Sequence, residues 1–240
     1  MGRAFEYRKE KKFKRWDAMA KNFTRIGREI AIAVKNGGPN TDTNPKLRLA
    51  ITNAKAVSMP KERVDAAIKR ASTKEEGNFE EVVYEGVGPA GIAIMVECAT
   101  DNTTRTVSNV RVIFSRGGGT LGTFGSVTYL FDRKGIFTID ALKINLDDAE
   151  LHLIDAGAED IYSEDGIVYV ETSFNDFGTM QKKLDDLKIE ITGAELLRIP
   201  HNKVKVNADT ENLINNLIEK LGEDDDVVNV FTNMEESSGE

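Results

Sequence analysis

Apolar positions recur with two different periods along the chain. Met19, Phe23, Ile26, Ile30 and Val34 are spaced by three or four up to Asn36-Gly37-Gly38-Pro39, which predicts one amphipathic helix and its stop. Asn44 then caps a second helix with Pro45 at its first position, where the missing N–H costs nothing, and Leu47, Ile51, Ala54 and Val57 face inward. Pro60 opens a third helix with Val64, Ala67 and Ile68 as its buried edge. These helices form a small bundle whose expected outward residues include Lys21, Arg25, Arg28, Lys46, Arg48, Lys55, Lys61, Lys69 and Arg70. Ser72 to Asn78 reads as a linker.

Beyond it the period becomes two. Ile92, Ile94, Val96 and Cys98 share one side of a strand, Asp101 or Asn102 caps a helix carrying Val107, Val110 and Phe114, and Val127, Tyr129 and Phe131 alternate on a further strand. From 136 to 198 the order is strand, helix, strand, strand, helix, strand, the ferredoxin-like arrangement. Lys203 to Val206, a helix with Ile214, Leu217 and Leu221, and Val227 to Phe231 complete another strand–helix–strand piece. The outer pieces each have too few strands for a stable sheet, so they are expected to join with the middle unit inserted between them. The expected fold class is multidomain α+β, a three-helix bundle plus two α/β lobes. The boundaries are 1–78 for the basic bundle and its arm, 79–133 with 201–240 for the discontinuous lobe, and 134–200 for the inserted one. Sheet faces or edges not covered by helices are expected to be available for packing.

Charge sharpens this picture. The chain has 240 residues and a net charge of −8, but residues 1–74 carry 19 Lys and Arg against 7 Asp and Glu, while 75–240 carry 13 against 33. A basic end beside an acidic remainder points to a polyanion on one face. The segment "FEYRKEKKFKRW" interleaves cations with Phe5, Tyr7, Phe13 and Trp16, supplying phosphate-neutralising charge and aromatic faces for stacking on bases or for stapling the arm to the bundle. Neutralising about six phosphates would give a salt slope of roughly −5. No apolar run is long enough for a membrane span and no secretory signal is evident, so a cytoplasmic location without membrane contact is expected. The single Cys98 excludes an intrachain disulfide or thiolate cluster.

Five glycines between Gly117 and Gly125 suggest a phosphate cradle. However, they follow a helix and precede a strand, so the adjoining helix offers its carbonyl end, and the Lys-Ser/Thr pair of a P-loop is missing. Gly117 reads instead as a left-handed helix stop, with a flexible turn after it. His152 and His201 have no evident catalytic partner, Glu223 to Asp226 read as a solvated acidic turn, and Cys98 reads as a buried thiol. The expectation is a protein without catalysis, cofactor or metal.

"NPKLRLAITNAKAVSMPKERVDAAIKRA" (44–71), "YEGVGPAGIAIMVECATDNTTRTVSNVR" (84–111) and "GGGTLGTFGSVTYLFDRKG" (117–135) closely resemble the YebC/PmpR family, which includes mitochondrial translational activators. Asn44, Pro45, Met59, Pro60, Lys61, Asp101, Asn102, Arg105 and Thr106 match its pattern, whereas the Gly-His-Ser-Lys-Trp opening of many members is replaced by Gly2-Arg3-Ala4-Phe5-Glu6-Tyr7. The resemblance implies three lobes, no cofactor, and a DNA-binding transcriptional regulator or a ribosome-associated translation factor. The expected nucleic-acid contacts are Arg3, Arg8, Lys9, Lys11, Lys12, Lys14, Arg15, Lys21, Arg25, Arg28, Lys46, Arg48, Lys55, Lys61 and Arg105, meeting DNA or ribosomal RNA. A protein-binding scaffold that uses exposed sheets is the remaining alternative.

Overall fold

A computed structural model describes residues 19–73 and 78–235, with side chains from residue 22 onward in the first stretch. Helices α1 (Met19–Gly37), α2 (Pro45–Ala56) and α3 (Lys61–Thr73) form the N-terminal lobe. One side chain ties the first two together. Asn44 Oδ1 accepts the Leu47 N–H at 3.0 Å, capping α2, while its Nδ2 donates to the carbonyls of Ala33 at 2.7 Å and Gly38 at 2.8 Å. A Cβ on Gly37 would lie 2.7 Å from that amide, so the sharp exit from α1 requires glycine there. Ile26, Ile30, Val34, Leu47, Ala50, Ala54, Val64 and Ala67 make the lobe's core. Ile30 to Val34 are buried without a break because α1 meets strand β2 (Ala93–Thr100) as well as its two companion helices.

Two antiparallel sheets follow. The first has the order β3-β1-β2-β8, from Thr120–Leu121, Glu80–Val87, β2 and Val227–Thr232. Helices α4 (Thr103–Arg116) and α7 (Ala208–Glu223) cover one face, where Ile92, Ile94, Val96 and Cys98 pack on Val110, Phe114, Ile214, Leu217 and Leu221. The second sheet has the order β5-β6-β4-β7, from Ala158–Glu164, Ile167–Ser173, Phe131–Asp140 and Ile191–Pro200. It is covered by α5 (Leu146–Asp155) and α6 (Phe177–Asp186), whose Leu153, Phe177, Met180 and Leu184 meet Phe137, Ile139, Val168 and Val170.

Strand alternation turns the other residues to the opposite face of each sheet. Ala93, Met95 and Phe231 from the first sheet share a core with Ile136, Tyr169, Leu197 and Ile199 from the second. The body is therefore four layers, helix–sheet–sheet–helix. The sheet faces left free by the helices pack on each other, so they are not exposed to a protein partner as the scaffold alternative requires.

Three local expectations also change. Val127 to Phe131 do not form a strand: Thr128–Leu130 is a short 3-10 turn, and β4 begins at Phe131 and runs unbroken to Asp140. The buried Val127 and Phe131 around the exposed Tyr129 gave a period-two signal without a ladder. Lys203 to Val206 contribute one isolated bridge, Val204 to Met234, rather than a strand. The left-handed residue after α4 is Gly118 at φ 74°, with Gly117 at φ −82° still closing the helix. Gly118 and Gly119 N–H groups bond back to the carbonyls of Ser115 and Phe114, a Schellman ending.

Candidate nucleic-acid interface

Cations of the helical lobe divide into two groups. Lys55 in the last turn of α2 and Lys61, Arg63, Lys69 and Arg70 on α3 are exposed, with Glu62 and Asp65 the only carboxylates of α3. Arg63 lies over the Phe23 ring at 5.5 Å, leaving an edge for solvent. Arg3, Arg8, Lys9, Lys11, Lys12, Lys14 and Arg15, and the side chain of Lys21, lie outside the described residues.

The second group points into the molecule, against the expected outward orientation. Arg25 donates to the Gly222 carbonyl at 2.9 Å. Arg28, with 16% of its side chain exposed, reaches Asp226 Oδ1 at 3.0 Å and the carbonyls of Ala99 and Asp225. Arg48 bonds to the carbonyls of Thr41 and Asp42 and lies 3.7 Å from Asp185. Lys46, although exposed, pairs with Glu81 at 3.2 Å. The reason is the docking of α1 on β2 and of α2 on β7, which carries these cations to carboxylates and carbonyls of the two-sheet body.

Asp226 is the centre of this latch. Only 4% of its side chain is exposed, and it accepts from Arg28, from Arg105 at 2.8 and 3.0 Å, from Thr106 at 2.7 Å and from Thr100 at 3.2 Å. Burial works to raise its pKa, but the hydrogen bonds from Arg105 and Thr106 and the charges of Arg105 and Arg28 outweigh it and hold the carboxyl below its ordinary value. Arg105, expected at a phosphate, is thus shared between Asp226 and Asp101 at 2.9 Å. The acidic run is correspondingly not a wholly solvated turn, and the sequence reading missed its last residue. The available signal was position: Asp226 directly precedes the buried Val227 of β8.

The glycine loop does hold an anion, and the anion belongs to the chain. Glu85 on β1, 2% exposed, accepts the N–H groups of Gly125 at 2.8 Å, Val127 at 2.8 Å and Thr128 at 2.9 Å. Burial opposes its charge, yet these bonds prevail and its pKa is lowered. Its backbone carbonyl also takes the Gly122 N–H at 2.8 Å.

Elsewhere, His201 Nε2 lies 2.9 Å from Asp132, and His152 is exposed on α5. Cys98 is buried, and that burial pushes its thiol up to about 12, far from a reactive thiolate. Among the described residues, no group of three His, Cys, Asp or Glu side chains is arranged to hold a metal, and no helix is long and apolar enough to cross a membrane.

These features define a multidomain α+β protein with a cationic helical lobe latched to an acidic two-sheet body. The chain belongs to the TACO1/YebC family: the model for the TACO1/YebC N-terminal domain matches residues 3–74, and that for the TACO1/YebC second and third domain matches 79–234. A Cytophaga hutchinsonii protein named "Probable transcriptional regulatory protein" is 53% identical over 99% of this chain and all of its own length. A Porphyromonas gingivalis protein of the same name is 48% identical over the whole of both chains. The crystal structure of a conserved hypothetical protein from Aquifex aeolicus superposes with a TM-score of 0.77 at 36% identity, covering 92% of this chain and 91% of that one.

Proposed function

We propose that this protein is a non-enzymatic regulator of gene expression that binds duplex DNA through the solvent-facing cations of α2 and α3, together with the basic residues of the N-terminal segment. The observation carrying this reading is that Lys55, Lys61, Arg63 and Lys69 remain exposed after the two-sheet body has engaged Arg25, Arg28, Lys46 and Arg48. Cations on adjoining helix edges can release counterions from a phosphate backbone without a pocket. The names of the relatives agree with a regulatory role. A ribosome-associated translation factor would use the same charges on folded RNA.

The test is fluorescence anisotropy of the full chain with a labelled duplex over a salt series. Lys55→Glu, Lys61→Glu and Lys69→Glu together should flatten the log–log salt slope by roughly 3 and weaken binding about tenfold or more. An unchanged slope would remove the helical face from the interface. Sedimentation of extracts with and without ribonuclease separates the two readings, since ribonuclease-sensitive migration with ribosomes would favour the RNA partner.

A further inference from the structure

From Asn102 to Phe131 the chain carries Arg105, Arg111 and Arg116 and no Asp or Glu, although residues 75–240 hold 13 Lys and Arg against 33 Asp and Glu. This acid-free stretch is α4 and the glycine loop. Arg105 is committed to Asp226. Arg111 and Arg116 are exposed, and neither has a hydrogen bond or ion pair among the described residues. Ser108 and Ser115 are exposed on the same outer side of α4. The loop beyond ends in two bare rings, Phe124 at 90% and Tyr129 at 69% exposure.

Single exposed aromatics need no explanation, but two within six positions on a held backbone do. The holding is specific. Glu85 clamps three N–H groups between Gly125 and Thr128, and Gly122 is bonded to the Glu85 carbonyl. Rings presented on such a frame lose little conformational freedom when they meet a partner. The segment combines two exposed rings with guanidinium and hydroxyl groups and holds no carboxylate of its own, a set of groups that suits bases and phosphates together. Paired bases hide their faces in the stack, so the rings require unpaired ones.

We infer that the outer face of α4 and the glycine loop form a second nucleic-acid contact, in which Phe124 and Tyr129 stack on unpaired bases of a DNA strand while Arg111 and Arg116 meet its phosphates. The inference rests on the duplex-DNA reading above.

The experiment compares anisotropy of the full-length protein on a fully paired duplex, on the same duplex with a central unpaired bubble, and on an RNA hairpin of equal length. Wild-type protein should bind the bubble about fivefold or more tightly than the paired duplex. Phe124→Ala with Tyr129→Ala should erase that preference and leave paired-duplex affinity and thermal melting unchanged. Phe124→Trp should keep the preference, and Arg111→Glu with Arg116→Glu should reduce bubble binding. Equal wild-type affinity for bubble and duplex, or a preference that survives loss of both rings, overturns the inference while leaving the α2–α3 face intact. Tighter binding of the hairpin than of the bubble overturns DNA as the occupant, and lost bubble preference with an altered melting temperature overturns the stacking role in favour of a structural one. A wild-type protein that binds no nucleic acid overturns this contact and the helical face alike.

Discussion

Arg28 and Glu29 are neighbours on α1 with opposite electrostatic fates. Arg28 meets Asp226, while Glu29 is partly buried and surrounded by like charge. Burial, followed by the fields of Glu81 and Glu97, with Arg25 opposing and Glu195 adding, pushes the Glu29 pKa from 4.5 up to about 7. A carboxyl raised in the folded state binds a proton between pH 4.5 and 7 that the unfolded chain has released, so its contribution makes stability fall as pH rises through that window. Glu29→Gln should therefore be more stable than wild type at pH 8 by about 1–2 kcal/mol, with the difference vanishing toward pH 4. Paired urea denaturations across pH measure it; a difference independent of pH would refute the assignment. Asp226 and Glu85 have the reverse sign. Their lowered pKa values contribute stability above the unfolded carboxylate pKa that disappears as pH falls through the folded one.

Elements were read most securely where local chemistry is self-sufficient. Asn44 with Pro45 is a cap whose partner lies within three residues, so sequence alone exposes it, while of the two candidates Asp101 and Asn102 the structure selects Asn102, which accepts from the Arg105 N–H at 3.0 Å. The ferredoxin-like order from β4 to β7 was equally visible, because both helices and strands alternate cleanly. The position of the glycine segment after a helix argues against a phosphate cradle, but the anion it holds, Glu85, sits forty residues from Gly125. Nothing local marks that acid as buried. Strand β1 is likewise hidden in the sequence, since its polar Glu80, Glu81 and Glu85 obscure the alternation that its pairing with β2 reveals. At this scale the loop's close packing is testable. A Cβ on Gly119 would stand 2.7 Å from the Val87 carbonyl oxygen, so Gly119→Ala should destabilise the fold by about 1–3 kcal/mol, read as a lower urea midpoint. An unaltered midpoint would mean that β3 and β1 are not as closely apposed.

For the whole molecule, the opposite charges recognised in the sequence meet at the lobe contact instead of staying apart. Arg28 is 198 residues from Asp226 and Arg105 is 121 away, separations that no window of sequence can link. Of the cations that composition marks as phosphate contacts, Lys55 and Lys61 stand exposed on α2 and α3, and eight others lie outside the described residues. Arg25, Arg28, Lys46, Arg48 and Arg105 are instead bonded or paired within the protein, which only the docking of the helical lobe on the two sheets and the fold of the first sheet reveal. Asp226→Asn keeps the shape but leaves two guanidinium groups facing a neutral amide, and a partly buried Arg28 without its counter-charge is expensive. The variant should lose about 2–4 kcal/mol in chemical denaturation. Retained stability would mean that the charge of Asp226 contributes nothing to the lobe contact.

The insertion of one sheet between the pieces of the other also sets an order of completion during synthesis. Strands β4 to β7 can emerge and pair while the first sheet still has an open edge at β2, because its neighbour β8 is made only from residue 227 onward. Until α7 arrives, the faces of Ile92, Ile94, Val110 and Phe114 also lack their cover. Helix α7 and strand β8 thus act as a closing clasp, and a nascent chain released before them would carry both an unpaired strand and a greasy cleft, features that invite aggregation and chaperone binding.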